Sequence, residues 1–234
     1  MTWVTNFLTS SIGKKLLMSL TGIFLITFLP VHLAGNLQLL YDDGGEAFNV
    51  YADFMAHNPF IQFTAKGLYF FIVLHSILGI VLWAQNKKAA KGKGTSRYAV
   101  PNLRATSKTS ARAASGMAAI GTIILIFIVI HMYQFWFRSK FGDLPDVMYG
   151  DVVIADLYTP VYAAFTDWKF VLFYVVAMVF IAIHLRHGFQ SAFQTLGLNH
   201  KKYTPVIEFV GLAYSILIPL GFAIIPIYFY VAYS

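Results

Sequence analysis

Seven histidines punctuate this 234-residue chain, and four of them, His32, His75, His131 and His184, fall inside four separate long apolar stretches. An imidazole in hydrocarbon is costly, so a histidine within a membrane span is a functional-site hypothesis by default. One histidine in each of four stretches points to paired axial ligation, in which two imidazoles from different helices hold one haem iron and four hold two. Two axial histidines fill the iron's coordination. Such a centre has no open position for oxygen and suits electron carriage rather than substrate activation.

The apolar blocks must position these residues. They predict five transmembrane helices, over about residues 15–40, 61–86, 113–137, 168–194 and 204–231, each near or above the ~20 residues that cross a bilayer. Composition agrees: 58% of residues are hydrophobic and only 12% charged, roughly half the charge of a soluble domain. The expected fold is an all-α integral membrane protein whose first four helices form the haem-binding bundle, with residues 1–234 a single transmembrane cytochrome b domain. The first block is too long for a signal-peptide core and lacks a small-residue cleavage site after it, so it is read as a mature helix. Pro30, Pro219 and Pro226 fall inside spans, which membrane helices tolerate when neighbours re-satisfy the freed carbonyls.

Charge gives the expected direction of insertion. Thirteen of the seventeen Lys and Arg lie on one side. They are Lys14, Lys15, Lys87, Lys88, Lys91, Lys93, Arg97, Arg104, Lys108, Arg112, Arg186, Lys201 and Lys202. Nine of the ten carboxylates lie on the other: Asp42, Asp43, Glu46, Asp53, Asp143, Asp146, Asp151, Asp156 and Asp167. The positive-inside rule then puts the N-terminus and the basic loop in the cytoplasm and the C-terminus outside. The net charge of +7 is thus mainly a topology signal. The basic loop has little aromatic interleaving, so no nucleic acid is expected; a cytoplasmic partner docking there is the alternative to plain topology.

Sequence position converts to depth, because a helix rises ~1.5 Å per residue. Counted from the basic ends, His32 lies 18 residues above Lys14 and His131 lies 19 above Arg112, about 27 and 28 Å up. His75 lies 12 residues from Lys87 and His184 lies 14 from Leu198, about 18 and 21 Å up. Two levels result, each drawing on two helices: an outer level of His32 with His131, and an inner level of His75 with His184. Gly35, Gly79 and Gly188 follow His32, His75 and His184 at i+3 or i+4, on the same helix face. They either leave room for a flat macrocycle or merely allow close helix packing. His187 rivals His184 from three residues further on, and is otherwise a partner for a propionate or ligand. His57 and His200 fall in or near loops and are expected to be solvated.

The chain has no cysteine, which excludes disulfides, thiolate-bound clusters, covalent c-type haem and cysteine zinc sites. No phosphate-cradling glycine loop is present; Gly92 and Gly94 lie in a lysine-rich stretch without strand–turn–helix context.

At the histidines the chain resembles a known family. Val31-His32-Leu33-Ala34-Gly35-Asn36-Leu37 in the first span carries the likeness. So does the run from His184 through Leu185, Arg186, His187, Gly188, Phe189 and Gln190 to Gly197 in the fourth. The chain is similar over nearly its whole length to the diheme cytochrome b membrane subunit of bacterial succinate dehydrogenases and fumarate reductases. His75 and His131 match the family's ligands in the second and third helices. The resemblance implies two haem b groups, the outer on His32 and His131 and the inner on His75 and His184. It implies anchoring of a flavoprotein subunit and an iron–sulfur subunit in the cytoplasm of a bacterium. Electrons from succinate would pass through the flavin, clusters and haems to a quinone in the lipid bilayer, menaquinone being usual for diheme members. The chain itself has neither a flavin fingerprint nor cluster ligands, so it performs no dicarboxylate chemistry alone.

A quinone needs an apolar slot with hydrogen-bond donors near a haem edge. Asn36, Gln38, Tyr41, Tyr133 and Gln134 are candidates, with Glu46 and Asp53 nearby for protons; the alternative is an ordinary interfacial belt. Arg186, Arg112 and Arg138 are candidate propionate partners, or they snorkel to the interface. A haem-free transporter relaying protons through its histidines is the competing class. It calls for acidic partners within the spans and an internal repeat; the sequence has no carboxylate in the middle of any span and no internal repeat. A purely structural anchor gives no reason for two matched histidine levels.

Overall fold

The computed structural model describes residues 2–91, 111–142 and 144–234, with backbone alone at 89–91 and 111–115. Lys93, Arg97, Arg104 and Lys108 of the basic loop, the side chains of Lys91 and Arg112, and Asp143 therefore lie outside the described residues. A short helix α1 (Trp3–Thr9) leads into α2 (Ser11–Asn36), which tightens into a 3-10 turn over Leu37–Leu40. Then come α3 (Glu46–His57), α4 (Pro59–Lys91) and α5 (Ala111–His131). The last of these continues as a π-helical stretch, Met132–Phe137, and ends in α6 (Arg138–Phe141). An antiparallel hairpin, β1 (Asp146–Tyr149) and β2 (Val152–Ala155), pairs Asp146 with Ala155 and Tyr149 with Val152. The chain closes with α7 (Tyr158–Phe165), α8 (Trp168–Thr195) and α9 (Thr204–Tyr233).

Five of these helices are long and apolar enough to cross a membrane, with mean hydropathy of 2.0 to 2.2. The chain is an all-α, multi-pass integral membrane protein. Protein packing leaves most of their apolar surface open: only 6% of the apolar window of the third span and 33% of that of the fifth is buried. An apolar helix covered so sparsely by protein needs lipid around it. The five expected spans coincide with α2, α4, α5 with its π extension, α8 and α9. The largest difference is at α4, which runs on to Lys91 because Lys87, Lys88, Ala89 and Ala90 are good helix formers.

Four spans close a ring: α2 packs on α4 and α8, and α5 packs on the same two helices. The fifth, α9, lies outside the ring against α8 and α2. Small residues set that approach. A Cβ on Gly211 would stand 2.7 Å from the Phe189 ring, and one on Gly221 would stand 2.7 Å from Leu33.

Pro30 inside α2 lacks an N–H, which strips the Ile26 carbonyl four residues earlier of its helical partner. The Tyr214 hydroxyl of α9 donates to that carbonyl. The outer helix thus completes the backbone bonding of the inner one, as hydrocarbon requires.

The end of the molecule that carries the carboxylates is a folded cap of α3, the hairpin and α7, which the span pattern does not reveal. Asn49 of α3, 1% exposed, ties it together. Its amide N–H donates to the Tyr149 hydroxyl and the Asp156 carboxylate, and its carbonyl accepts from the Leu157 and Tyr158 amides. Gly45, at φ +90°, starts α3 against the face of Tyr158, where a Cβ would stand 2.2 Å from the ring. Burial alone would raise the Asp156 carboxyl. Bonds from the Thr159 hydroxyl and amide and the Asn49 amide outweigh it and hold the group below its ordinary 3.8.

Two measurements follow from this packing. Tyr214→Phe leaves the Ile26 carbonyl unpaired and costs about 1–3 kcal/mol, whereas in a Pro30→Ala background the same change costs little, because the helical N–H is restored. Thermal unfolding in detergent of the four variants reads the difference. The stability held by Asp156 is present above pH 3.8 and is lost as pH falls through the lower folded value. The melting difference between wild type and Asp156→Asn should therefore shrink in that acid range and be constant above it.

Candidate functional site

The bundle brings the four span histidines together two by two. The ring centres of His32 and His131 are 5.9 Å apart, and those of His75 and His184 are 6.3 Å apart. These are the two couples named above from depth alone. In the ring of helices α2 and α5 are opposite corners, as are α4 and α8, so each couple spans one diagonal. Their neighbours fix the vertical spacing. Thr21 touches His75 and lies 11 residues before His32 on α2, about 16 Å along the axis. Tyr174 touches His131 and lies 10 residues before His184 on α8, about 15 Å. Counting from the basic ends gave a separation of about 6–10 Å. It assumes upright helices whose ends share one plane, and that assumption fails here.

The inner couple has the spacing of paired axial ligands, and the outer couple comes within about 0.1 Å of it. With metal–imidazole nitrogen bonds of ~2 Å, two rings gripping one ion from opposite sides have centres roughly 6–6.5 Å apart. Among the described residues no group of three or more His, Asp or Glu converges to hold an ion unaided. Two imidazoles suit an iron whose other four positions a macrocycle supplies. The enclosed Nδ1 of His184 has no hydrogen-bond partner among the described residues.

The other ring nitrogens have neighbours. His75 Nδ1 lies 3.0 Å from the Thr21 hydroxyl, and His131 Nδ1 lies 3.3 Å from the Tyr174 hydroxyl. Tyr174 donates onward to Gln134 Oε1 at 2.7 Å. Gln134 sits in the π-helical stretch that begins at the residue after His131, and such widened turns recur at functional sites. Asn36 donates its amide N–H to the His32 carbonyl at 2.7 Å and lies 3.3 Å from Nδ1. Aromatic rings fill the outer level around these groups: Phe28 and Phe222 against His32, and Phe127 and Phe135 against His131.

The remaining candidates are placed differently. His184, not His187, faces His75; His187 is exposed and its Nδ1 bonds the Ile183 carbonyl of its own helix. His57 is exposed and pairs with Asp53, and His200 is exposed against Tyr203. Arg186 and Arg138 are exposed. Arg186 borders a cavity of about 480 Å³ with Gln190 and Glu208, between α8 and α9. Of the quinone candidates, Asn36 and Gln134 are spent on bonds beside His32 and His131. Gln38 is half-buried, while Tyr41 and Tyr133 are 60% and 67% exposed.

The glycines that follow the histidines have different neighbours. Gly35 makes room for Tyr51, whose ring would stand 2.4 Å from a Cβ there; Gly79 meets Met18, and Gly188 meets nothing. The glycines beside the histidine rings are Gly22, facing His75, and Gly121, facing His184. Both lie on a different helix from the ring they face, so same-helix spacing could not find them. Thr21 and Tyr174 were missed for the same reason. Compared with models of protein families, with curated proteins and with solved structures, the chain matches none.

Proposed function

We propose that the chain is the diheme cytochrome b membrane anchor of a succinate:quinone oxidoreductase. The observation that carries this reading is the pair of histidine couples on the two diagonals of one bundle, stacked at two depths. Bound haem b would supply reversible one-electron storage at each level. His32 and His131 would hold the outer group, and His75 and His184 the inner one. The chain's own work is to fix these four imidazoles on rigid helices. It also excludes water with apolar and aromatic walls and keeps the two levels apart.

The protein would sit in a bacterial cytoplasmic membrane with the basic end inside, as the charge asymmetry favours. The basic end would receive the flavoprotein and iron–sulfur subunits. Quinone, menaquinone by resemblance, would meet the outer level from the lipid. Tyr41 and Tyr133 offer exposed hydroxyls at that end, and Asn36 and Gln134 lie next to the outer histidines. Arg186, Arg138 and Arg112 would serve propionates or lipid phosphates. The same subunit serves a quinol:fumarate reductase when electrons run the other way.

Purified protein should show two b-type haems per chain in a dithionite-reduced minus oxidised spectrum. Changing His32, His75, His131 or His184 singly to Ala should remove or destabilise one haem while the chain still inserts. Gly22→Val should disturb the inner haem alone, since Gly22 faces only His75. His187→Ala should leave both. Retention of two haems by all four ligand variants would sink the assignment. Absence of haem from protein made with ample haem supply would favour the proton-relay or bare-anchor reading.

A further inference from the structure

Each histidine couple is held asymmetrically, and hydroxyl chemistry shows how. The Thr21 hydroxyl spends its one proton on its own helix, where the Leu17 and Met18 carbonyls lie at 2.9 and 3.0 Å. With the proton there, its oxygen accepts from His75 Nδ1 at 3.0 Å in the tautomer that leaves Nε2 for iron, and the Met18 backbone is a further partner of the same ring. The Tyr174 hydroxyl spends its proton on Gln134 Oε1 at 2.7 Å, so its oxygen accepts from His131 at 3.3 Å. In both cases the ring is the donor. Its proton sits on Nδ1, and its Nε2 carries the free lone pair. The opposite members differ. His184 Nδ1 has no partner among the described residues. His32 Nδ1 faces the N–H of Asn36, itself a donor. Each diagonal thus has one ring pinned by a hydroxyl from an adjacent helix: α8 pins α5 at the outer level, and α2 pins α4 at the inner.

We propose that Thr21, and Tyr174 backed by Gln134, are positioning residues that set the redox potential of one haem each. They do so by holding His75 and His131 as Nδ1–H donors. The inference rests on the haem reading above. An imidazole that donates its second N–H is a more basic ligand, and a more basic ligand favours the oxidised iron. Removing the acceptor therefore raises the potential of that haem and leaves the other in place.

The test is a spectroscopic redox titration of the purified, haem-loaded protein. In Thr21→Val and Tyr174→Phe, one of the two haems should be about 2–10-fold more reduced at a fixed ambient potential, the range a single net hydrogen bond supplies. The affected haem should differ between the two variants. Thr21→Ser, which keeps the hydroxyl, should titrate as wild type. So should Thr27→Val, whose hydroxyl bonds only the Phe24 carbonyl of the same helix. Should Tyr174→Phe lose its haem, Gln134→Ala reads the same level with Tyr174 in place. It should shift in the same direction by a smaller amount, because a Tyr174 hydroxyl that no longer donates to Gln134 is a less polarised and weaker acceptor for the His131 N–H. A merely structural role would lower melting temperature and leave both potentials unmoved, and that result overturns the proposal. Two haems in wild type with unshifted variants removes this inference alone; no haem in wild type removes the underlying reading with it.

Discussion

Every polar group that enters hydrocarbon must find its partner inside the protein, because no water is there to supply one. Most of the described interior answers that demand, with His184 Nδ1 and Trp136 Nε1 the exceptions among the described residues. Helices satisfy their own backbone, and hydroxyls within the spans bond back to it: Ser19 to Lys15, Ser76 to Ile72 and Thr122 to Ala118. Where Pro30 breaks the pattern in α2, a tyrosine from α9 repairs it. Four imidazoles are the conspicuous burden on such an interior. They are grouped in couples across the bundle, where one metal per couple would use both rings.

The ring of four helices and the brace outside it divide the labour. Two diagonals carry the histidines, and the edges of the ring carry the residues that orient them, since Thr21 and Tyr174 each reach one corner over. α9 contributes no histidine. Its glycines let it lie close against α8 and α2, and Tyr214 bonds it to the carbonyl that Pro30 frees. The cap at the acidic end adds a different kind of order. One buried asparagine satisfies α3, the hairpin and the start of α7 together, which fixes the connections above the outer histidine level. Such rigidity would suit the electron-carrying role proposed above, in which the ligands should not move between oxidation states.

The spans and the identity of the four central histidines are legible in the sequence. Hydropathy and helical rise are one-dimensional properties: twenty apolar residues span a bilayer wherever they occur, and counting residues gives rank order in depth. Rank order was enough to couple His32 with His131 and His75 with His184. It was not enough to give the spacing, which depends on where each helix end sits relative to the others. The cap was hidden because α3, the hairpin and α7 are short and held by tertiary bonds to Asn49, a residue whose type says nothing about a distant Tyr149 or Leu157.

Same-helix spacing does not find the glycines that lie against the histidine rings, for an instructive reason. In a bundle a ring faces the neighbouring helix, so the relevant small residues are Gly22 and Gly121, across the interface. The choice between His184 and His187 is of the same kind. Both lie on one turn of α8, and only the position of α4 decides which of them meets His75. The sequence by itself thus determined a five-span helical membrane protein with two ranks of histidine. Tertiary structure alone decided that His184 rather than His187 meets His75, at what distance the rings of each couple stand and which hydroxyls lie behind His75 and His131, because contacts between helices depend on rotation about each axis, and rotation is set by packing partners the linear pattern does not contain.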